Sequence, residues 1–259
     1  MQRYFIYLQY DGTDYHGWQI QPNGNSVQAE LQRVLTTLLR TETAVTGAGR
    51  TDAGVHARRM VAHFDGEDGI DTDQLAYRMN RMLPHDIAID RIEPVDSDMH
   101  ARFSAKSRTY HYYIHQRKAP FLRKYSCEIH YPLDFEMMNQ AASHLLNVED
   151  FGAFCKAGSD VKTTLCRVTE AYFSKGEDGV VFVITANRFL RNMVRAVVGT
   201  LIEVGRHRMT LDEFDEVVRS GNRTSAGESM PGNALFLWDV GYGQCLVFGF
   251  WFLVFSFWF

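Results

Sequence analysis

Gly47-Ala48-Gly49-Arg50-Thr51-Asp52-Ala53-Gly54-Val55-His56-Ala57 crowds small residues around one carboxylate. Glycine has no Cβ, so it adopts positive φ and lets another chain come close to the backbone. Such a loop presents Asp52 outward with little bulk around it. Arg50 stands two residues away, able to pair with a phosphate or a carboxylate. A lone carboxylate framed by glycines beside an arginine suits a nucleophile that must reach a bulky substrate. A surface turn whose Asp caps the next segment fits these residue types as well.

Strands and helices on either side place this loop. Residues 3–10, RYFIYLQY, read as a strand. The stretch from Asp11 to Gly24 carries Tyr15, His16, Trp18, Gln19 and Gln21. Rings and amides stack on and hydrogen-bond splayed RNA bases, but a loop folded onto the core through Trp18 has the same composition. Val27, Leu31, Val34, Leu35 and Leu38 fall on one face of a helix over 26–41. Strands are predicted over 43–47 and 59–64, a helix over 71–83 stopped by Pro84, and a strand over 87–92. The order β-α-β-β-α-β is that of a split βαβ sandwich.

The second part repeats the theme. A strand is predicted over 107–115, a helix over 134–146, and a hairpin of 165–175 with 180–186. A long helix over 189–204 follows, with Arg191 and Arg195 one turn apart on one side. A helix over 211–220 and a strand over 234–242 complete the pattern. The expectation is an α+β fold of two similar α/β subdomains, 1–103 and 104–243. Their mixed, mostly antiparallel sheets would meet at a central basic cleft. From Cys245 to Phe259 every residue but Gly249 and Ser256 is apolar. That run is short of the roughly 20 residues a spanning helix needs, so 244–259 reads as a tail outside the fold.

Charge supports a polyanion partner only locally. The net charge of the 259 residues is -4, which argues against nucleic acid. Yet no acid occurs from Met99 to Cys127, a window holding Arg102, Lys106, Arg108, Arg117, Lys118, Arg123 and Lys124. None occurs from Gly179 to Ile202 either, where Arg188, Arg191 and Arg195 lie. Keeping acids out of two long stretches is what a cleft for a polyanion requires. Solvated basic faces would look the same. The four cysteines show no metal-ligand spacing and read as reduced thiols. The N-terminus lacks a basic-then-apolar signal. A cytoplasmic protein is expected.

Gly-Arg-Thr-Asp-Ala-Gly-Val-His at 49–56 resembles the signature of the tRNA pseudouridine synthase A family. The resemblance extends to Tyr-His-Gly-Trp-Gln at 15–19 and His-Ala-Arg-Phe at 100–103. It continues through Arg-Thr-Tyr-His-Tyr-Tyr-Ile at 108–114, Phe-Leu-Arg-Asn-Met-Val-Arg at 189–195 and the ending at 226–237. That ending departs from the family in Met230 and Asn233-Ala234.

The resemblance implies isomerisation of uridine to pseudouridine in the anticodon stem-loop of tRNA, at positions 38, 39 and 40. It implies a flipped target base, no cofactor, no metal and a homodimer. It makes Asp52 the nucleophile, Tyr110 the residue stacked on the uracil, and Arg195 the partner of Asp52. Leu235 would cover the ring, and Arg50 would support the backbone around the vacated space. Whether Asp52 forms a covalent adduct or removes a proton stays open, as does whether Arg191 or Arg195 faces it. Two rivals remain: a non-catalytic RNA-binding module, and a hydrolase needing a second carboxylate or a metal near Asp52. Glu42 and Asp65 are the nearest acids on either side.

Overall fold

The computed structural model describes residues 1–243 except Asn23, Asp160 and Glu177. The apolar tail expected at 244–259 lies outside the described residues.

The first part folds as β1 (Gln2–Tyr10), α1 (Val27–Leu39), β2 (Thr46–Gly47), β3 (His56–Gly66), α2 (Thr72–Met82) and β4 (Ile87–Val95). In β1 Tyr4, Phe5, Ile6, Leu8 and Tyr10 are buried, whereas Arg3, Tyr7 and Gln9 are half-exposed, so burial alternates from Ile6 to Tyr10. Ser26 caps α1 by accepting from the Ala29 amide, and Val27, Leu31, Val34 and Leu35 are buried. Arg40 ends the helix in the left-handed region at φ 57. Asp71 caps α2 through the Gln74 amide.

The strand expected over 43–47 shrinks to Thr46–Gly47. The amides of Thr43 and Val45 bond instead to the side chains of Thr36 and Gln32 on α1. Helix side chains satisfy those donors, so no strand ladder is needed there.

The second part folds as β5 (Ser107–His115), β6 (Cys127–Glu128), α3 (Phe135–His144), β7 (Val168–Gly176), β8 (Gly179–Ala186), α4 (Met193–Gly205), α5 (Leu211–Ser220) and β9 (Leu235–Gly241). Thr210 and Glu213 form a reciprocal capping box at α5, and Gly221 closes it at φ 62.

All nine strands join in one sheet of order β4-β1-β3-β9-β5-β8-β7, with β2 on β3 and β6 on β5. The run β4-β1-β3 with β2 at its end matches the run β9-β5-β8-β7, so each part uses the same internal order. The join is β3 with β9, a short parallel pairing of His56 with Phe236 and Ala57 with Leu237. Every other pairing except β5–β6 is antiparallel.

Two apolar clusters lie on the two sides of that join. One gathers Tyr4, Ile6, Leu31, Leu35, Met60 and Phe64 with Leu237 and Val240. The other gathers Tyr112, Met138, Phe154, Phe182, Val197 and Phe214 with Val55. Each cluster thus borrows from the other part of the chain: Val55 crosses one way, and Leu237 and Val240 the other. The β3–β9 seam is held by this exchange of side chains as well as by its hydrogen bonds. The Asp52 loop enters β3 at this seam.

Candidate active site

The Asp52 loop is held from below by 15–18. Trp18 is 2 % exposed and lies so close under Gly47 that a Cβ there would meet its indole at 2.4 Å. The Trp18 amide donates to the Thr51 carbonyl at 3.2 Å, and the Gly54 amide to the Tyr15 carbonyl at 3.2 Å. Gly17, at φ +97, brings its own backbone against Thr51, where a Cβ would stand 2.3 Å from the carbonyl oxygen. Tyr15 is buried, its hydroxyl donating to Asp86. Of the two readings of this loop, Trp18 and Tyr15 therefore follow the core reading: they are the floor of the Asp52 loop.

His56 and Arg108 tie the loop to the rest of the fold. The His56 ring is buried, and its Nε2 donates to the Asn233 carbonyl at 3.0 Å. Its Nδ1 lies 3.0 Å from the Gly12 amide and from Asp11 Oδ1. Arg108 donates to the carbonyls of Ala48, Arg102, Ala105 and Asn187 at 2.6–3.0 Å. Burial lowers its pKa, and a guanidinium in this role stays charged. By sequence Arg108 belongs to the basic stretch expected to face a polyanion. The structure makes it a clamp on backbone. Neither clamp could be read from sequence, because their partners are main-chain groups, and Ala48, Asn187, Gly12 and Asn233 lie far away in the chain.

Arg195 reaches Asp52: Nη1 stands 3.3 Å from Oδ2, with the two side chains 22 % and 27 % exposed. Its Nε also donates to the Met230 carbonyl, and the Met230 amide donates back to the Arg195 carbonyl at 3.1 Å. The guanidinium is thus fixed by the loop before β9 as well as by its own helix.

The helix is shorter than expected. It starts at Met193, because Asn192 sits in the left-handed region at φ 67 and its amide side chain donates to Ser229. Asparagine tolerates that conformation better than most residues. Residues 189–192 are therefore not helical, so Arg191 does not share a helical side with Arg195. Arg191 is exposed, and it is Arg195 that meets the carboxylate.

Tyr110 lies on β5, half-buried, edge-on to Phe189 at 5.0 Å. Burial of its hydroxyl raises the phenol pKa, and the Asp52 charge raises it further. The phenol therefore stays protonated at neutral pH and keeps a donor near Asp52. Leu235 is 6 % exposed at the start of β9, opposite Tyr112 and in the same cluster as Val55. Arg50 is exposed. Among the described residues it makes no ion pair.

Asp52 and Arg195 are both partly open to solvent. Two surface pockets of about 320 and 360 Å³ lie against α3, and neither includes a residue of the Asp52 loop. The acids next to Asp52 in sequence do not join it: Asp65 is locked to Arg3 by bonds of 2.8 and 2.9 Å, and Glu42 is exposed. Neither provides the second carboxylate that a hydrolase reading calls for. Among the described residues no helix is long and apolar enough to cross a membrane.

A mixed sheet of two like halves carries an arginine-held carboxylate at their seam. The family model described as tRNA pseudouridine synthase matches residues 6–104 and 141–243, and the chain belongs to that family. It is 54% identical over 246 residues to the tRNA pseudouridine synthase A of Bacteroides fragilis, covering 94% of this chain and 98% of that protein. The protein of the same name from Bacteroides thetaiotaomicron is 56% identical over 247 residues, covering 94% and 92%. That of Acetivibrio thermocellus is 41% identical over 244 residues, covering 93% and 100%.

Proposed function

We propose that this chain isomerises uridine to pseudouridine in the anticodon stem-loop of tRNA, at positions 38, 39 and 40, with Asp52 as nucleophile. The observation that carries the reading is the partly exposed Asp52–Arg195 pair beside Tyr110. In the reaction the N1–C1′ bond breaks, the uracil turns, and a C5–C1′ bond forms. The C5 proton is lost and N1 takes one up, so no redox partner or group donor enters.

Arg195 holds the carboxylate against C1′ and sets a fixed positive charge beside it. Tyr110 stacks on the detached ring and keeps it in the cleft. Leu235 closes the apolar side of that space. The target base first leaves its stack, which costs a few kcal/mol, and exposed Arg50 supports the strained backbone. The apolar rings Tyr113, Phe236 and Trp238, on the sheet face opposite Tyr110 and Tyr112, support a homodimer with one tRNA spanning both subunits. A tRNA substrate agrees with a cytoplasmic location.

Tritium release from tRNA labelled at uridine C5 tests the reading, since only replacement of the C5–H bond frees the label. Release by wild type and none by Asp52→Ala is expected. Tight tRNA binding by wild type without release would point to the non-catalytic module.

A further inference from the structure

Phe121 is 93 % exposed, a large apolar side chain standing in water. It sits in the connection between β5 and β6, among exposed Arg117, Lys118, Arg123 and Lys124. Among the described residues, no carboxylate pairs with any of these four cations. The connection is nonetheless ordered by two successive turns, Leu122 amide to Ala119 carbonyl at 3.0 Å and Tyr125 amide to Leu122 carbonyl at 2.9 Å.

Its base is tied to the active site. The Asn233 side chain donates to the Arg123 carbonyl at 3.0 Å, and the Asn233 carbonyl accepts from His56, four residues after Asp52. The Tyr125 hydroxyl donates to Asp11 at 2.8 Å, and its ring packs on His56 at 5.3 Å. Asp11 in turn contacts His56 at 3.0 Å. The 117–125 segment is therefore an arm rooted at the rim of the Asp52 cleft, with an aromatic tip and free cations on both sides.

Free cations beside an exposed ring are the combination that grips single-stranded or unstacked nucleic acid: phosphates take the charges and a base takes the ring. Among the described residues Phe121 packs against nothing, and the free cations around it favour RNA over an apolar protein surface. We propose that the 117–125 arm is a second RNA-contacting element, with Phe121 stacking on an unpaired base of the same tRNA and Arg117, Lys118 and Lys124 on its backbone. This rests on the tRNA reading above and adds a contact away from the target uridine. The arm sets affinity and register, and the chemistry at Asp52 does not depend on it.

The test uses the full chain and unmodified tRNA transcript. Phe121→Ala weakens tRNA binding about tenfold and raises KM, with kcat at saturating tRNA unchanged. The Lys118→Ala, Lys124→Ala double variant flattens the dependence of log affinity on log salt by roughly 1–2 units. Both side chains are exposed, so melting temperatures stay at the wild-type value. In a separate arm of the experiment, Phe121→p-benzoylphenylalanine is irradiated with tRNA, and an RNA adduct is expected. Unchanged affinity in Phe121→Ala, or adducts only between protein chains, would overturn the proposal. Crosslinking does not need turnover, so absence of tritium release by wild type would sink the synthase reading without deciding the arm.

Discussion

Arg195 and Asp52 meet at 3.3 Å across 143 residues of chain. One comes from the first turn of α4 and the other from the loop before β3, so the pair exists only once the two parts share a sheet. Both side chains are about a quarter exposed. At that exposure an ion pair adds little to stability, about 0–1 kcal/mol. Its value is geometric: it holds a carboxylate at a set place and angle.

Asp52→Asn keeps the size and the loop but removes the charge and the nucleophile. Turnover should fall by about 10³-fold or more, with tRNA affinity within about threefold of wild type. Single-turnover tritium release and filter binding measure the two separately. Residual activity near wild type would remove Asp52 from the chemistry.

Arg195→Lys keeps a positive charge but has no planar fork to reach Asp52 and Met230 together. The expected result is a kcat lowered about 10²-fold with KM little changed. Arg191→Lys serves as the control, because Arg191 is exposed and apart from Asp52. An equal loss in both variants would mean that general basicity matters and not the pairing.

Arg108→Ala leaves the carbonyls of Ala48, Arg102, Ala105 and Asn187 without their donor. The two part-buried bonds, to Ala105 and Ala48, are the ones water does not readily replace, and losing them costs about 1–3 kcal/mol. Urea denaturation should show a lower midpoint at an unchanged slope. A loss confined to tRNA affinity, with stability intact, would return Arg108 to the basic surface.

Gly17→Ala places a Cβ 2.3 Å from the Thr51 carbonyl at a backbone with φ +97. Strain and clash together should cost about 2 kcal/mol or more, and the displaced Thr51-Asp52 segment should lower kcat. The matched Gly69→Ala also has positive φ, but nothing stands within 4 Å of its added Cβ. Its effect should be confined to the backbone strain and leave kcat untouched.

Acid should destabilise the fold through the buried His63 and the half-buried His111. Burial pushes His63 down to about 4, and nearby His100 and Arg3 add to the shift. Burial likewise pushes His111 down to about 4. The His63 Nδ1 accepts from the Ala101 amide at 3.1 Å, a bond that protonation there would break. Between pH 6.5 and about 4 the unfolded chain binds more protons than the folded one, so stability falls as pH falls through that window. Urea midpoints at pH 7 and pH 5 measure it. His63→Gln should flatten the slope, and an unchanged slope would show that His63 does not drive it.

Local signals were enough for most elements. Asp71 marks a helix start because its side-chain oxygen satisfies the amide three residues on. The 107–115 strand and the 211–220 helix carry their period in adjacent residues, and both stand where that period puts them. Local patterning failed where a distant partner intervened. Asn192, bonded to Ser229, delays α4 and separates Arg191 from Arg195. Thr36 and Gln32 replace the strand predicted over 43–47.

The sequence by itself determined the element order, the two like halves and the glycine-framed Asp52, because each rests on residue types and spacings within one short window. Only the tertiary structure decided that the halves share a single sheet, that Trp18 is a floor, that Arg108 clamps backbone, and that Arg195 is the arginine at Asp52. Those outcomes depend on which backbone oxygens and side chains arrive from far along the chain, and no short window of sequence contains that information.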